Sequence, residues 1–311
     1  MAAGAAAALH LNTPLLRAAP GLFPQPEVWL KMDALQPCGS FKLRGVGRLV
    51  QQAAADGARE IVCASGGNAG FAAAFAARSL ALPVTIVLPE TSSAAVADKI
   101  AAHGASVLRH GAVWDEAHQF ASALAEQRGA AYVHPFDHPL LWEGHATLID
   151  EVCAAGLDFD CVVTAVGGGG LFAGIVDGLR RNGRAEVPVV AVETLGAESL
   201  HQSLNAGELI TLPAITSIAT SLGARRVAQA AFERARSHPT ISLTVSDAEA
   251  TAACVRFADA HRVMVEPACG AALAALTVHE AALARFQRPL IEVCGGIAVS
   301  LASLSNWTMP A

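Results

Sequence analysis

The chain has 311 residues, 53% of them hydrophobic, 15% charged and 5% aromatic, with a formal net charge of −6. That length can bury a sizeable core without staples, and an acidic balance with no lysine- or arginine-rich run excludes the electrostatic footprint of a nucleic-acid or anionic-membrane binder. Cys38, Cys63, Cys153, Cys161, Cys254, Cys269 and Cys294 contain no C-x-x-C pair, so neither a disulfide framework nor a zinc cage is indicated, and a reduced, cytoplasmic setting is expected.

Residues 1–16 are alanine-rich, lack the basic start of a signal peptide and contain Asn12 and Pro14, which reads as a loose arm. Short β-rich runs follow at 28–32, 61–64, 84–88, 106–109, 161–166, 189–193, 241–245 and 290–294. Between them lie alanine-rich helical patterns, among them 68–80, 113–128 and 247–261, the last with Ser246 as N-cap. Such alternation predicts parallel strands joined by helical crossovers, hence a doubly wound α/β architecture. The loop-rich stretch 134–139 reads as a crossing point between two lobes. Residues 293–311 are uncharged but broken by Gly295, Gly296 and Pro310, so a buried terminal helix is expected rather than a membrane span.

Four stretches carry chemistry. Gly39-Ser40-Phe41-Lys42-Leu43-Arg44-Gly45 sets a lysine between two glycines just before a helical run. Its amine is either an ordinary solvated cation or a group held for reaction. Ser65-Gly66-Gly67-Asn68-Ala69-Gly70 follows a strand and opens a helix, a place where α/β sheets bind anions. A plain turn with Asn68 as N-cap is the bland reading. A rival makes Ser65 a nucleophile, because Cys63 to Gly67 misses the G-x-S-x-G elbow by one residue.

Gly167-Gly168-Gly169-Gly170-Leu171 also joins a strand to a helix, and four glycines allow close backbone approach to a phosphate. A dinucleotide reading is live there, since Gly168 to Ala173 satisfies G-x-G-x-x-A and Glu193 ends the next strand. It leaves Lys42 and the Asn68 loop without a role. The fourth stretch, Glu292-Val293-Cys294-Gly295-Gly296, puts a cysteine at a strand's carboxyl end. His134, Asp137 and His138 lack metal-site helix spacing, Arg225-Arg226 reads as a solvated helix start, and the four tryptophans are too scattered for a stacking platform.

An amine, an asparagine loop, a glycine cup and a polar strand end are the fittings of a pyridoxal 5′-phosphate site. In this order they resemble the fold type II pyridoxal-phosphate enzymes, and within them the serine/threonine deaminase (L-serine dehydratase) family. The resemblance is carried also by Leu30 to Asp33, Pro135-Phe136-Asp137, Trp142 to His145, Ile215-Thr216-Ser217 and Val265 to Leu273, and spans nearly the whole chain.

It implies two doubly wound parallel-sheet α/β domains, a large one of 1–38 and 139–311 and a small one of 39–138, with the cofactor in the cleft between them. Lys42 would form the imine with the cofactor and act as general base, Phe41 would lie against the ring, and Asn68 would bind the 3′ oxygen. Gly167, Gly168, Gly169, Gly170 and Leu171 would hold the phosphate, and Cys294 would face the pyridine nitrogen. Ser65, Gly66, Asn68 and Ala69 would bind the substrate carboxylate. A monovalent cation, usually potassium, would sit on Glu193 with carbonyls of Gly167, Ala197, Leu222 and Ala224.

The implied reaction is β-elimination from L-serine, and from L-threonine, to the 2-oxo acid and ammonia, by a homodimer acting on small amino acids with no nucleic-acid or membrane partner. A threonine-preferring or β-replacement enzyme is the nearest alternative. Related chains follow the Cys-Gly-Gly stretch with serine and asparagine, whereas this one has Ile297 and Ala298. Gly66 stands where some carry alanine or serine, and no regulatory domain of the biosynthetic threonine deaminases is expected.

Overall fold

The computed structural model describes residues 7–308, and several of its strands are short, apolar runs buried on both faces. Numbering elements in chain order, β3 (Ile61–Ala64), β4 (Val84–Leu88) and β7 (Cys161–Ala165) are buried at every position. A continuous apolar run of this kind suits a parallel sheet covered by helices on both sides.

The chain separates into two compact units. The first joins residues 7–11 to Gln36–Gly144 and holds a four-stranded sheet, ordered β5 (Ser106–Arg109), β4, β3, β6 (Ala131–Val133), with every pairing parallel. α1 (Lys42–Ala55) and α2 (Asn68–Ser79) belong to one core layer, where Val46, Val50, Ala73 and Ala77 meet Ile61, Cys63 and Ile86. The opposite layer is built by α4 (Trp114–Arg128), whose Ala117, Ala121 and Ala125 pack with Val62, Ala64 and Val87. Alanine is both the strongest helix former and small enough to bring a helix close to a sheet.

The second unit, Asn12–Leu35 with residues 145–308, contains a six-stranded sheet. Its order is β1 (Leu15–Arg17), β2 (Trp29–Lys31), β10 (Pro289–Glu292), β7, β8 (Val189–Thr194), β9 (Thr240–Val245), parallel except for the β1–β2 edge pair. α6 (Gly170–Arg181), α9 (Asp247–His261) and α10 (Pro267–Val278) supply its long buried faces. Ser246 caps α9 through a full capping box with Glu249.

Three expectations change. Residues 1–6 of the expected arm lie outside the described residues, but the arm's end is not loose, because Leu15–Arg17 pairs with β2. The terminal helix α12 (Leu301–Thr308) is short, and Leu301 is 73% exposed, so it is not the buried helix expected; residues 309–311 lie outside the described residues. Arg225 and Arg226 precede the helix α8 (Gln229–Ser237) rather than start it, and Arg225 Nε donates to the Leu212 carbonyl at 2.8 Å.

Candidate active site

The first unit gathers one set of residues at the carboxyl ends of its parallel strands. Lys42 is the first residue of α1, and its Nζ donates to the Pro135 carbonyl at 2.7 Å and lies 5.0 Å from the Phe41 ring centroid. β3 ends at Ala64, and the chain turns through Ser65–Gly67 into α2, whose first residue, Asn68, is buried. A β-carbon on Gly70 would run into the Ser65 carbonyl oxygen, so glycine is what lets the helix rise this close to the strand end. The Ser65 hydroxyl accepts from Gly67 N–H at 3.2 Å, which makes it part of the turn. The N–H groups of the first turn of α2, Ala69 included, have no acceptor within the helix and suit a carboxylate.

The loop after β6 closes this set. His134 Nδ1 accepts two main-chain N–H groups, from Asp137 at 2.8 Å and from Phe136 at 3.3 Å. His138 Nδ1 accepts from Leu140 N–H at 3.1 Å. These nitrogens therefore organise the backbone. Behind the loop, Trp114 stacks on His118 with centroids 4.9 Å apart and donates through Nε1 to the Ala64 carbonyl at 2.8 Å. His118 Nδ1 and the Tyr132 hydroxyl lie 2.5 Å apart.

The second unit carries the other set. Gly169 precedes α6 with φ 86°, and a β-carbon there would collide with Ala231 and come within 2.8 Å of Val227 Cγ2. Gly167 packs against residue 222, where a β-carbon would stand 2.8 Å from the Leu222 Cα. Only glycine fits this path, which leaves the first-turn N–H groups of Gly170 and Leu171 without helical acceptors. Cys294 is buried just beyond β10, and its thiol is held well above the usual range by the Cys269 side chain hydrogen-bonded to it, with burial and the Glu292 and Glu266 carboxylates adding to the effect. It is a neutral thiol.

Glu193, at the end of β8, is buried and accepts from Leu200 N–H at 2.9 Å and His201 N–H at 2.7 Å, the first turn of α7 (Ser199–Ala206). Burial pushes its carboxyl up to about 8 against those two bonds. Of the carbonyls paired with it by resemblance, that of Leu222 accepts from Ala224 N–H at 2.7 Å.

The first unit by itself offers an amine beside an aromatic ring and helix-start donors, and the second by itself a glycine path that a β-carbon would block and a neutral buried thiol; each set is of a kind that fits pyridoxal phosphate. The family model of the pyridoxal-phosphate dependent enzymes matches residues 7–295. The chain belongs to this family. It is 47% identical over 309 residues to a mouse (Mus musculus) protein named serine dehydratase-like, covering 96% of this chain and 93% of that one. It is 43% identical over 307 residues to human (Homo sapiens) L-serine dehydratase/L-threonine deaminase, covering 95% and 94%. Among solved structures, a fungal L-serine ammonia-lyase from Rhizomucor miehei superposes with a TM-score of 0.88 at 34% identity over 96% of this chain and 98% of that one. The fold is therefore that of the fold type II members of this family.

Sequence reasoning missed the Pro135 carbonyl, His134 as an acceptor, and the Trp114–His118–Tyr132 array. A carbonyl has no side-chain signature, and the aromatic residues lie on separate elements. The one available signal was the histidine-rich loop, which the absence of metal spacing set aside.

Proposed function

We propose that the chain is a pyridoxal-phosphate-dependent dehydratase that converts L-serine to pyruvate and ammonia, and L-threonine to 2-oxobutanoate and ammonia. The observation that carries this reading is the Lys42 amine at the start of α1, held at 2.7 Å by the Pro135 carbonyl. Its support from similarity is the pair of relatives named for serine dehydratase at 43% and 47% identity over nearly the whole chain.

Bound here, pyridoxal phosphate would supply an aldehyde for the Lys42 amine and a conjugated ring that takes up charge from the substrate Cα. Lys42 would hold the cofactor through its Nζ, and the same amine would serve as the base for the α-proton. Ser65, Gly66, Asn68 and Ala69 orient the substrate by its carboxylate, and Asn68 also holds the 3′ oxygen. Gly167 to Leu171 bind the phosphate through backbone N–H groups. The Cys294 thiol faces the pyridine nitrogen without giving up its proton, as its raised pKa supports. A thiol that keeps its proton would leave that nitrogen without one.

The proposal extends to a monovalent cation, potassium first, on Glu193 with carbonyls of Gly167, Ala197, Leu222 and Ala224. A hard oxygen set with one carboxylate suits such an ion. It extends also to a homodimer, and to a reduced, cytoplasmic setting, with which seven free cysteines agree. No described helix is long and apolar enough to cross a membrane.

The test is a purified sample loaded with pyridoxal phosphate. It should show an absorption band abolished by borohydride and release pyruvate from L-serine, with steady-state rates on β-hydroxy amino acids rising when potassium is added. Lys42→Ala should lose both the band and the activity, and retention of pyruvate production by that variant would overturn the reading. Products formed with L-threonine, and with L-serine plus sulfide, separate the threonine-preferring and β-replacement alternatives.

A further inference from the structure

His134 follows β6 in the first unit, and its Nδ1 turns into the loop that follows. Asp137 and Phe136 donate their N–H groups to that one nitrogen at 2.8 and 3.3 Å. An imidazole nitrogen that accepts carries no proton, so the ring is neutral. Burial first, then the positive neighbours His118, Lys42 and His138, lower the pKa of His134 to about 3, in agreement with that geometry.

The ring itself is held on several sides. Phe136 meets it edge-on with centroids 4.7 Å apart, His118 at 5.3 Å and Trp114 at 5.9 Å. Trp114 is anchored in turn to the Ala64 carbonyl, one residue before the Ser65 loop. Between His134 and the two N–H donors stands Pro135, whose carbonyl accepts from Lys42 Nζ at 2.7 Å. Proline has no N–H and a fixed φ, so the direction of this carbonyl is set by what the turn's later N–H groups do. They converge on His134.

We infer that His134 is a positioning residue for Lys42: its Nδ1 gathers the Phe136 and Asp137 N–H groups into a turn that aims the Pro135 carbonyl at the lysine amine. The carbonyl is where that amine rests, 2.7 Å away. Misaiming it leaves the lysine present but displaced from the reacting atoms. The inference rests on Lys42 being the cofactor-bearing amine proposed above, and goes beyond that reading by assigning a residue which touches neither cofactor nor substrate.

The experiment follows covalent capture of pyridoxal 5′-phosphate by cofactor-free protein, read by absorbance, together with kcat and KM for L-serine, in wild type, His134→Ala, His134→Asn and His134→Gln. Asparagine places an acceptor oxygen near the Nδ1 position and supports the same kind of turn, whereas glutamine moves the acceptor out by one methylene. Capture and kcat should both fall by roughly 10-fold or more in His134→Ala and His134→Gln with KM within about 2-fold, because small misplacement of a reacting group costs rate. His134→Asn should stay within about 3-fold of wild type in both, even where loss of the ring lowers its melting temperature. Capture at the wild-type rate by His134→Ala, or His134→Asn as slow as His134→Gln, overturns the inference. Should His134→Ala not fold, the asparagine and glutamine pair decides alone. Failure of wild type to capture the cofactor at all would instead strike the functional reading on which the inference rests.

Discussion

At Gly169 the backbone is left-handed, with φ 86°, and Ala231 and Val227 close off the space where a side chain would stand. Gly169→Ala therefore meets both strain and overpacking, and should destabilise the second unit by roughly 1–3 kcal/mol. It should also weaken pyridoxal phosphate binding, measured by equilibrium dialysis, because the displaced loop is the one proposed above to hold the phosphate. His134 gives a pH prediction at the same scale. Its pKa is lowered from 6.5 to about 3 in the folded chain, so the unfolded chain binds more protons between those values. Its contribution to stability is thus present above pH 6.5 and lost as pH falls toward 3, at no more than about 1.4 kcal/mol per pH unit. His118 shifts in the same direction through burial, and Lys42, His138, Asp137 and Tyr132 are further titratable groups around this loop. Urea denaturation at pH 7 and pH 5 should show a smaller loss for His134→Asn than for wild type.

Elements with strong local signals were legible in the sequence, and weak ones were not. The strands 61–64, 84–88 and 106–109 and the helix 247–261 appear with the bounds expected of them. Their apolar runs and the Ser246 cap are local properties. Removing that cap by Ser246→Ala should cost about 1 kcal/mol, read as a lower denaturation midpoint, since both halves of the capping box are formed. β1 and β6 have three residues each, too few for alternation to register. β6 forms because β3 offers it a parallel edge from Ile61 to Cys63, a fact that exists only once β3 is placed.

Across the second unit, an ion pair ties together segments far apart in the chain. Lys31, in β2, has no exposed surface, and its Nζ contacts Glu151 Oε2 at 2.6 Å, the Thr13 carbonyl at 2.6 Å and Asn12 Oδ1 at 3.3 Å. A lysine in a central strand would be costly without these partners. Lys31→Met should destabilise the protein by roughly 3–5 kcal/mol because it strips Glu151 of its cation, and Glu151→Leu in the same chain should recover part of that loss, both measured by chemical denaturation.

The sequence by itself determined the α/β alternation, the glycine path after β7, the lysine at the start of α1 and the likeness to the pyridoxal-phosphate enzymes, because each is written in residue types at fixed spacing. Tertiary structure alone decided that the Pro135 carbonyl holds the Lys42 amine, that His134 spends its Nδ1 on two N–H groups, and that Glu193 turns both oxygens to the start of α7. Backbone carbonyls and N–H groups are the same at every residue. Which of them meet depends on how distant segments are brought together, and no local pattern records that.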